Sequence, residues 1–353
     1  MTDAQSGRPI GVALLGFGFA GEIFHAPFIS ATPGLQLRVV ASRQVDRVRA
    51  AYPDVHVVDT PHEALAVDDV TLVIVATPNE THAPLAEAAL RAGKHVVVDK
   101  PFTVTLDEAC RLTAMADDAP GQLAVFQNRR WDSDFVGLRQ AIEAGTVGEI
   151  VEFRSEIARW RPQVRDRWRE RPGPGAGLWY DLGPHLIDQA LVLFGVPASV
   201  HGLLRTQRPG GTTDDWFQVT LDYRTRQVIL SSSMLAADRP PRFLVRGSSG
   251  SLVKQGTDTQ ERRLMRGERP PAPDWGHDPD PLLVCRQDEE PERVPVPAGD
   301  YGGFYVAMRD AIRSGTIVPV SAAHATTVMV LLLAAMRSSE EGRAVAIDPA
   351  STI

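Results

Sequence analysis

The chain has 353 residues, of which 43% are hydrophobic and 23% are charged, proportions typical of a globular protein with two domains. Its formal net charge of −7 argues against a nucleic-acid partner and against binding to an anionic membrane surface. The two cysteines, Cys110 and Cys285, are too few for a disulfide framework or a zinc knuckle, so we expect reduced thiols in a cytoplasmic protein. The polar first nine residues and the short apolar run 328–336 predict neither a signal peptide nor a membrane span.

The first part of the chain alternates between predicted strands and helices. Because most of the predicted strands are continuous apolar runs, they indicate a parallel sheet that is buried on both faces. Helices fit between them, including one over 81–91 before Gly93 and one that opens with a capping box at Thr105. The predicted strands are 10–15, 35–42, 55–58, 70–76, 95–99 and 123–127.

A glycine-rich loop, Gly16-Phe17-Gly18-Phe19-Ala20-Gly21, follows the first predicted strand and precedes a predicted helix. In that position G-x-G-x-x-G is a dinucleotide-binding fingerprint. The first glycine permits a tight turn, the second lets the backbone approach a pyrophosphate, and the third lets helix and strand pack closely. The helix N-terminus then offers N–H groups and a partial positive charge to the phosphates.

Other polar residues are predicted at the same edge of the sheet. Pro101 ends the fifth strand and so places Lys100 at its carboxyl end, while Thr77-Pro78-Asn79 follows the fourth strand. Ligands of open parallel sheets bind at the carboxyl ends of the strands. We therefore predict that these residues bind the dinucleotide together with the glycine loop, Asp99 and His82.

The end of the second strand distinguishes NADP from NAD. NAD enzymes usually place an acid there to bond the ribose hydroxyls, but this strand ends at Ser42 and Arg43, with no acid before Asp46. Ser42 and Arg43 could both bind a 2′-phosphate, which favours NADP and leaves NAD possible. The alternative is that Arg43 is simply solvated.

After about residue 150 the pattern changes to short alternating strands, which indicates a mostly antiparallel sheet with one face exposed or used for association. We predict an α/β protein with a Rossmann domain over 1–128 and an α+β domain over 129–353, whose C-terminal helices could pack back on the Rossmann domain. The predicted strands are 150–157, 216–221, 227–230, 242–246 and 251–254. The other predicted segments are an arginine-rich loop at 159–177, helices at 180–193, 301–313 and 322–337, and a long surface loop at 266–297.

Three residues could carry proton chemistry. Asp181 and His185 are four residues apart, which places both on one face of a helix, although Gly183 and Pro184 suggest that the helix begins between them. Alcohol oxidation needs a base, which His185 could supply, and Lys100 could stabilise negative charge on oxygen. The alternatives are a solvated lysine and an Asp–His helix cap. No third ligand at metal spacing accompanies the pair, so we predict no metal.

The segment 159–169 interleaves arginine with tryptophan, including Arg165 and Trp168. In a basic protein this would suggest nucleic acid, but here acids intervene and the chain is acidic overall. A loop lining a polyol pocket is one interpretation, and a solvated or oligomer-contacting loop is the other.

These motifs together resemble the Gfo/Idh/MocA family of NAD(P)-dependent oxidoreductases over nearly the whole chain. The shared features are the glycine loop, the Ala76–Asn79 segment, the Lys-Pro pair and the Asp-x-x-x-His pattern. Asp99 stands where many members have glutamate. The segments 24–29, 93–105, 128–134, 161–170 and 179–189 are more narrowly similar to a bacterial scyllo-inositol dehydrogenase subgroup that includes NADP-preferring members.

The resemblance implies a Rossmann domain followed by an open-faced sheet domain, and dimers or tetramers that form through the sheet. It also implies that Lys100, Asp181 and His185 are catalytic. We expect reversible hydride transfer between NADP and a secondary hydroxyl of a cyclic polyol or sugar, with scyllo-inositol as the leading candidate. The predicted pocket residues are Asn128, Arg165, Trp168 and Tyr301. The alternatives are a sugar or dihydrodiol dehydrogenase acting as an aldehyde or ketone reductase, and a cofactor-binding sensor without catalysis.

Overall fold

The computed structural model describes residues 7–348, which form two compact units. The first unit takes in the chain up to Asn128, together with Glu261–Trp275 and Tyr301–Thr326. The second takes in Arg129–Gln260, Gly276–Asp300 and the chain from Thr327 onward. Residues 1–6 and 349–353, at the ends of the two predicted domains, lie outside the described residues.

The first unit contains a parallel sheet that has six strands within the described residues, in the order β3-β2-β1-β4-β5-β6. The strands are β1 (Ile10–Leu15), β2 (Leu35–Ala41), β3 (His56–Val58), β4 (Val70–Val75), β5 (His95–Val98) and β6 (Leu123–Val125). The helices between them are α1 (Ala26–Ala31), α2 (Val45–Ala51), α3 (Pro61–Leu65), α4 (His82–Arg91) and α5 (Leu106–Asp118). The order reverses between β1 and β4, and this switch opens a crevice at the carboxyl ends of those strands.

The apolar runs explain why the first sheet forms where the sequence predicts it. All six residues of β1 are buried, as are most residues of β4 and β5, because helices cover both faces of the sheet. The capping box at Thr105 is present, since the Thr105 hydroxyl accepts from the Glu108 N–H and the Glu108 carboxylate accepts from the Thr105 N–H. The predicted Rossmann fold is confirmed.

The second unit contains a sheet whose order, within residues 7–348, is β14-β13-β12-β11-β7-β10-β9-β8-β15. Every neighbouring pair is antiparallel except β7 with β10, so the predicted mostly antiparallel sheet is confirmed. The strands are β7 (Ile150–Glu156), β8 (Ser199–Arg205), β9 (Trp216–Asp222), β10 (Gln227–Ser233), β11 (Phe243–Gly247), β12 (Gly250–Lys254), β13 (Leu282–Cys285), β14 (Glu292–Val294) and β15 (Val345–Ala346).

Helices α6 (Ser133–Glu143) and α7 (Leu178–Phe194) pack against this sheet. Along β9 and β10 fully buried residues alternate with partly exposed ones, which is the pattern of a sheet with one well-covered face. The later helices of the chain are α8 (Gln260–Met265), α9 (Gly302–Ser314) and α10 (Ala322–Glu341).

The structure corrects the prediction of a long surface loop over 266–297. That stretch contains β13 and β14, which extend the sheet from β12. Each is only three or four residues long and lies among prolines and charged residues, so its local composition resembles a loop. Pairing with β12, rather than strand propensity, determines its structure. The prediction also misses β8 and β15.

Helix α7 begins at Leu178, two residues before the predicted helix over 180–193, so the suggested start between Asp181 and His185 is wrong. The Asp214 carboxylate accepts a hydrogen bond from the Trp179 N–H at 2.6 Å, and the Asp214 carbonyl accepts one from the Leu178 N–H at 2.9 Å. These bonds satisfy N–H groups of the first turn that have no partner inside the helix. Asp214 therefore caps α7 from a different part of the chain.

Helix α10 is long and apolar enough to cross a membrane by length and composition, whereas the run 328–336 alone is too short. In the structure 61% of its most apolar window is buried among other protein residues. A mostly buried core helix passes the same length and composition test, so this helix is weak support for a membrane span.

The Asp214 cap predicts a pH-dependent stability. Burial raises the pKa of Asp214 from 3.8 to about 6, only partly offset by its hydrogen bonds to the start of α7. Because the folded state binds this proton more tightly, the contribution of Asp214 to stability is complete below pH 4 and is lost as the pH rises through 6. Asn at this position can still accept from Trp179 without titrating. Relative to D214N, the wild type should lose about 1–3 kcal/mol of unfolding free energy between pH 4 and pH 7 in urea denaturation. A constant difference between the two proteins across that range would contradict the prediction.

Candidate active site

The glycine loop after β1 has the geometry that a bound pyrophosphate requires. Gly16 has a φ of +95°, and a Cβ on Gly21 would lie 2.1 Å from the Gly16 carbonyl oxygen. Gly18 is exposed, and a Cβ there would meet nothing within 4 Å. The first and third glycines are thus needed for the backbone path, and the second leaves open space beside the loop.

The helix after this loop runs without interruption over residues 19–31, with a π-helical turn at Gly21–His25. Phe17 is buried with its ring edge-on to Tyr52, so only its backbone can face a ligand. Phe19 is half exposed beside Phe24, and Ala20 is partly exposed. The loop backbone and the helix N-terminus therefore form the surface available to phosphate oxygens.

The loop after β4 forms the opposite wall of the crevice. The hydroxyl of Thr81 lies 2.6 Å from that of Thr77, and Pro78 is exposed next to buried Asn79. His82 is buried, with Nε2 3.0 Å from the Thr77 carbonyl oxygen.

The other ring nitrogen of His82, Nδ1, lies 2.8 Å from the Pro101 carbonyl oxygen. His82 therefore joins the loop after β4 to the segment that carries Lys100. Since carbonyl oxygens only accept, the ring makes both bonds only when both nitrogens carry a proton.

The end of β2 presents a hydroxyl and an exposed cation. Ser42 is buried, and its Oγ accepts from the Gln44 N–H at 3.0 Å. Arg43 is exposed and forms no ion pair within residues 7–348, whereas nearby Arg47 is bound by Glu22 and Gln44. Ser42 and Arg43 are therefore placed where a 2′-phosphate could be recognised.

Lys100 follows β5 and is partly exposed at the carboxyl edge of the sheet. Its backbone N–H donates to Asp99 Oδ1 at 2.9 Å. Burial tends to raise the pKa of Asp99, but the neighbouring His25, Lys100 and His82 side chains hold it below its ordinary value. Asp99 is thus an anion that lies among several basic side chains.

The second unit brings Asp181 and His185 together, since both lie on α7 one turn apart. Asp181 is partly exposed, with carboxylate oxygens 3.8 Å from Arg159 Nη1 and 3.6 Å from Arg169 Nε. His185 is only 4% exposed. Next along the helix, Asp188 accepts two hydrogen bonds from Arg130, at 2.7 and 2.9 Å.

The four predicted pocket residues have different environments. Asn128 is buried at a 3₁₀ turn, Arg165 is exposed, and Trp168 is 39% exposed beneath the Arg169 guanidinium. Tyr301 is fully buried, with its ring against Phe24 and Phe28. All four residues stay predicted pocket residues.

Sequence reasoning missed the residues that support the site. Asp181 lines a narrow crevice together with Arg169 and Asp214, and Arg208 closes its side through ion pairs with Glu170 and Asp215. The clustering of arginines was visible in the sequence, but the carboxylates that pair with Arg169 and Arg208 lie on a helix, in a 3₁₀ turn and in a loop.

Among the described residues there is no group of three or more His, Cys, Asp or Glu side chains that could hold a metal ion.

Comparison with known proteins defines the class of protein. The model "Oxidoreductase family, NAD-binding Rossmann fold" matches residues 10–127, and the model "Oxidoreductase family, C-terminal alpha/beta domain" matches residues 139–347. The protein is an NAD(P)-binding oxidoreductase, a dehydrogenase that acts on CH–OH donors. It belongs to the Gfo/Idh/MocA family, which confirms the resemblance seen in the sequence.

Two relatives and one solved structure align with this chain over almost their whole length. The uncharacterized oxidoreductase YdgJ of Escherichia coli strain K12 is 48% identical over 94% of this chain and 96% of its own. The scyllo-inositol 2-dehydrogenase (NADP(+)) IolW of Bacillus subtilis strain 168 is 36% identical over 96% of each chain. A crystal structure from Klebsiella pneumoniae has a TM-score of 0.91 and 48% identity, over 96% of each chain.

The glycine geometry predicts opposite effects for two similar substitutions. G21A should lower the unfolding free energy by about 2 kcal/mol or more, because the new methyl group overlaps the Gly16 carbonyl. G18A should change stability by less than about 0.5 kcal/mol, yet weaken NADPH binding by about tenfold or more by filling the space at the loop. Urea unfolding and fluorescence titration with NADPH measure the two effects. An unstable G18A protein, or a stable one with unchanged affinity, would contradict the assignment.

Proposed function

We propose that this protein catalyses reversible hydride transfer between NADP and a secondary hydroxyl of a cyclic polyol or sugar, with scyllo-inositol as the leading substrate. The observation that carries the proposal is the Asp181–His185 pair on α7, in a chain that also carries a dinucleotide-binding loop and a strand-end lysine. An alcohol oxidation needs a proton acceptor and a hydride acceptor, and these features could supply both.

In the proposed reaction His185 accepts the hydroxyl proton while the carbinol C–H bond breaks. Asp181 orients the imidazole and stabilises the cation that forms on it. Lys100 binds the reacting oxygen and stabilises its developing negative charge. The chemistry supplied by the nicotinamide when bound is acceptance of the hydride, so the products are a ketone, reduced cofactor and a proton on His185.

The surroundings of Asp181 support its role. Arg159 and Arg169 lie 3.8 and 3.6 Å from its carboxylate oxygens and hold a negatively charged group in place. Asp214 anchors the start of the helix that carries it. A carboxylate fixed in this way can orient a neighbouring imidazole at little cost in side-chain entropy.

The preference for NADP rests on Ser42 and Arg43. Neither provides the carboxylate that usually binds the ribose hydroxyls of NAD, and the exposed guanidinium of Arg43 suits a 2′-phosphate. The open space at Gly18 and the crevice between β1 and β4 fit the dinucleotide as a whole.

The polyol substrate is supported by the guanidinium groups that face Asp181, which can donate several hydrogen bonds to vicinal hydroxyls. The Bacillus subtilis relative, a scyllo-inositol 2-dehydrogenase (NADP(+)), agrees with this choice. A sugar or dihydrodiol dehydrogenase acting as a carbonyl reductase is the second candidate, since the same donors would bind its hydroxyls. A sensor without catalysis is disfavoured, because binding alone does not require Lys100, Asp181 and His185.

Substitution of the proposed base tests the mechanism. H185A should lower kcat by about 10²–10⁴-fold and leave NADPH affinity unchanged, because only proton transfer is lost. H201A, which removes an exposed histidine from β8, is the matched control and should keep full activity. NADPH absorbance with scyllo-inositol, myo-inositol and glucose measures turnover. Near wild-type turnover by H185A would disprove the assignment, and absence of turnover by the wild type despite NADPH binding would favour the sensor.

Cofactor choice is tested at the end of β2. R43A should lower kcat/KM for NADP by about 10–100-fold, the loss expected when a charge-assisted hydrogen bond to phosphate is removed, with little change for NAD. R49A removes another exposed arginine, on the following helix, and should change neither value. A wild-type enzyme with a higher kcat/KM for NAD than for NADP would refute the preference.

A further inference from the structure

A chain of polar side chains runs through the core of the first unit. The Tyr305 hydroxyl lies 2.5 Å from His25 Nδ1, and His25 Nε2 lies 3.7 Å from Asp99 Oδ1. The side chains of Tyr305 and His25 are fully buried, and that of Asp99 is 14% exposed. The chain ends at Lys100, whose backbone N–H donates to the same Asp99 oxygen.

The surroundings of this chain are aromatic. The His25 ring lies 4.4 Å from the ring of Phe126, and the Tyr305 ring stacks parallel to Phe28. Burying a histidine and a hydroxyl in such a core is unfavourable unless each is hydrogen-bonded, and hydrophobic residues of similar size would fill the space without that requirement. Tyr305 satisfies His25 Nδ1, whereas His25 Nε2 has no hydrogen-bond partner within residues 7–348 and faces the Asp99 carboxylate.

The chemistry of the groups sets the direction of the hydrogen bonds. The Asp99 carboxylate only accepts, and at 3.7 Å it lies beyond hydrogen-bond distance of His25 Nε2, so the attraction between them is electrostatic and favours a proton on Nε2. In the neutral ring Nδ1 then accepts from the Tyr305 hydroxyl, and in the cationic ring it donates to that hydroxyl. Both states present an N–H to Asp99, and both need Tyr305 to fix the ring.

Basic side chains other than His25 also act on Asp99. His82 bonds the Pro101 carbonyl, and together with His25 and Lys100 it lowers the pKa of the Asp99 carboxyl. These are the basic groups that act on Asp99 from the elements around it. The backbone at Lys100 is therefore fixed from one side by Asp99 and from the other by His82.

We propose that Tyr305, His25 and Asp99 form a buried positioning chain that holds the Lys100 segment and orients the Lys100 amine for the reaction. The role of Lys100 itself rests on the proposed function. Tyr305 and His25 do not touch a substrate; they act through Asp99. A purely structural pair would affect folding alone, whereas a positioning chain affects the chemical step at Lys100.

The first test separates kcat from KM. Y305F keeps the ring and removes the hydroxyl, and it should lower kcat about tenfold while KM for NADP changes less than about twofold. D99N should lower kcat further, because it removes the charge that holds Lys100, and D99E should restore most of the activity. The double variant Y305F/D99N should be no slower than D99N, because the two residues act through one chain. Additive losses in the double variant, or equal losses in D99N and D99E, would overturn the proposal.

The matched control is Y223F, which removes another tyrosine hydroxyl with a raised pKa, one that donates to the Gly195 carbonyl at 2.9 Å in the second unit. It should leave kcat unchanged. Equal kcat losses in Y223F and Y305F would show a general effect of hydroxyl removal and overturn the proposal.

The second test does not depend on turnover. The chain has three lysines, Lys94, Lys100 and Lys254, so ¹⁵N-lysine labelling gives a small set of side-chain signals that K100R assigns. At fixed pH, Y305F and D99N should shift the Lys100 signal and leave the Lys94 and Lys254 signals in place, since those amines bond the Val70 carbonyl and Asp280 instead. An unmoved Lys100 signal would overturn the positioning chain. A shifted signal in a protein inactive on polyols would support the chain and reject the proposed function.

Discussion

The close approach of Gly21 to the Gly16 carbonyl is the contact on which the cofactor-binding edge depends. A single methyl group at Gly21 would sit 2.1 Å from that oxygen, so the helix can begin directly against the end of β1 only because the residue is glycine. This places the helix N-terminus beside the crevice where the strand order reverses. The phosphate-binding surface therefore follows from backbone packing in the first unit, before any side chain contributes specificity.

The positions of Asp181 and His185 depend on a different kind of support. The local sequence gives helix α7, which carries Asp181 in its first turn, little support. Gly177, the residue before the helix, has no side chain that could cap it, and Pro184 removes one N–H from its interior. The Asp214 carboxylate accepts a hydrogen bond from the Trp179 N–H, which has no acceptor inside the helix. Burial of this carboxyl raises its pKa to about 6. The helix thus gains its position from a buried carboxylate that is itself unfavourable when ionised.

These supports decide how much could be predicted from the sequence. The strands of the first sheet are apolar runs, so burial on both faces made their positions visible. The helix that carries Asp181 and His185 was also predicted, although Gly183 and Pro184 suggested a start after Asp181 that is wrong. Strands β13 and β14 were hidden because pairing with β12, not composition, makes them strands. The burial of Tyr301 and the Asp214 cap were equally hidden, since both depend on contacts between residues far apart in sequence.

Asp99, the residue before Lys100, belongs to a local motif and also lies near His25, a residue far away in the sequence. Aspartate has one methylene fewer than the glutamate of many family members, and here its carboxylate stands 3.7 Å from His25 Nε2, longer than a hydrogen bond. The attraction at that distance is mainly electrostatic, and burial strengthens it because little water screens it. Asp99 can therefore stay ionised and bond the Lys100 backbone at 2.9 Å without being drawn fully toward His25. The shorter Asp99 side chain therefore places one carboxylate near both the buried imidazole of His25 and the backbone N–H of Lys100.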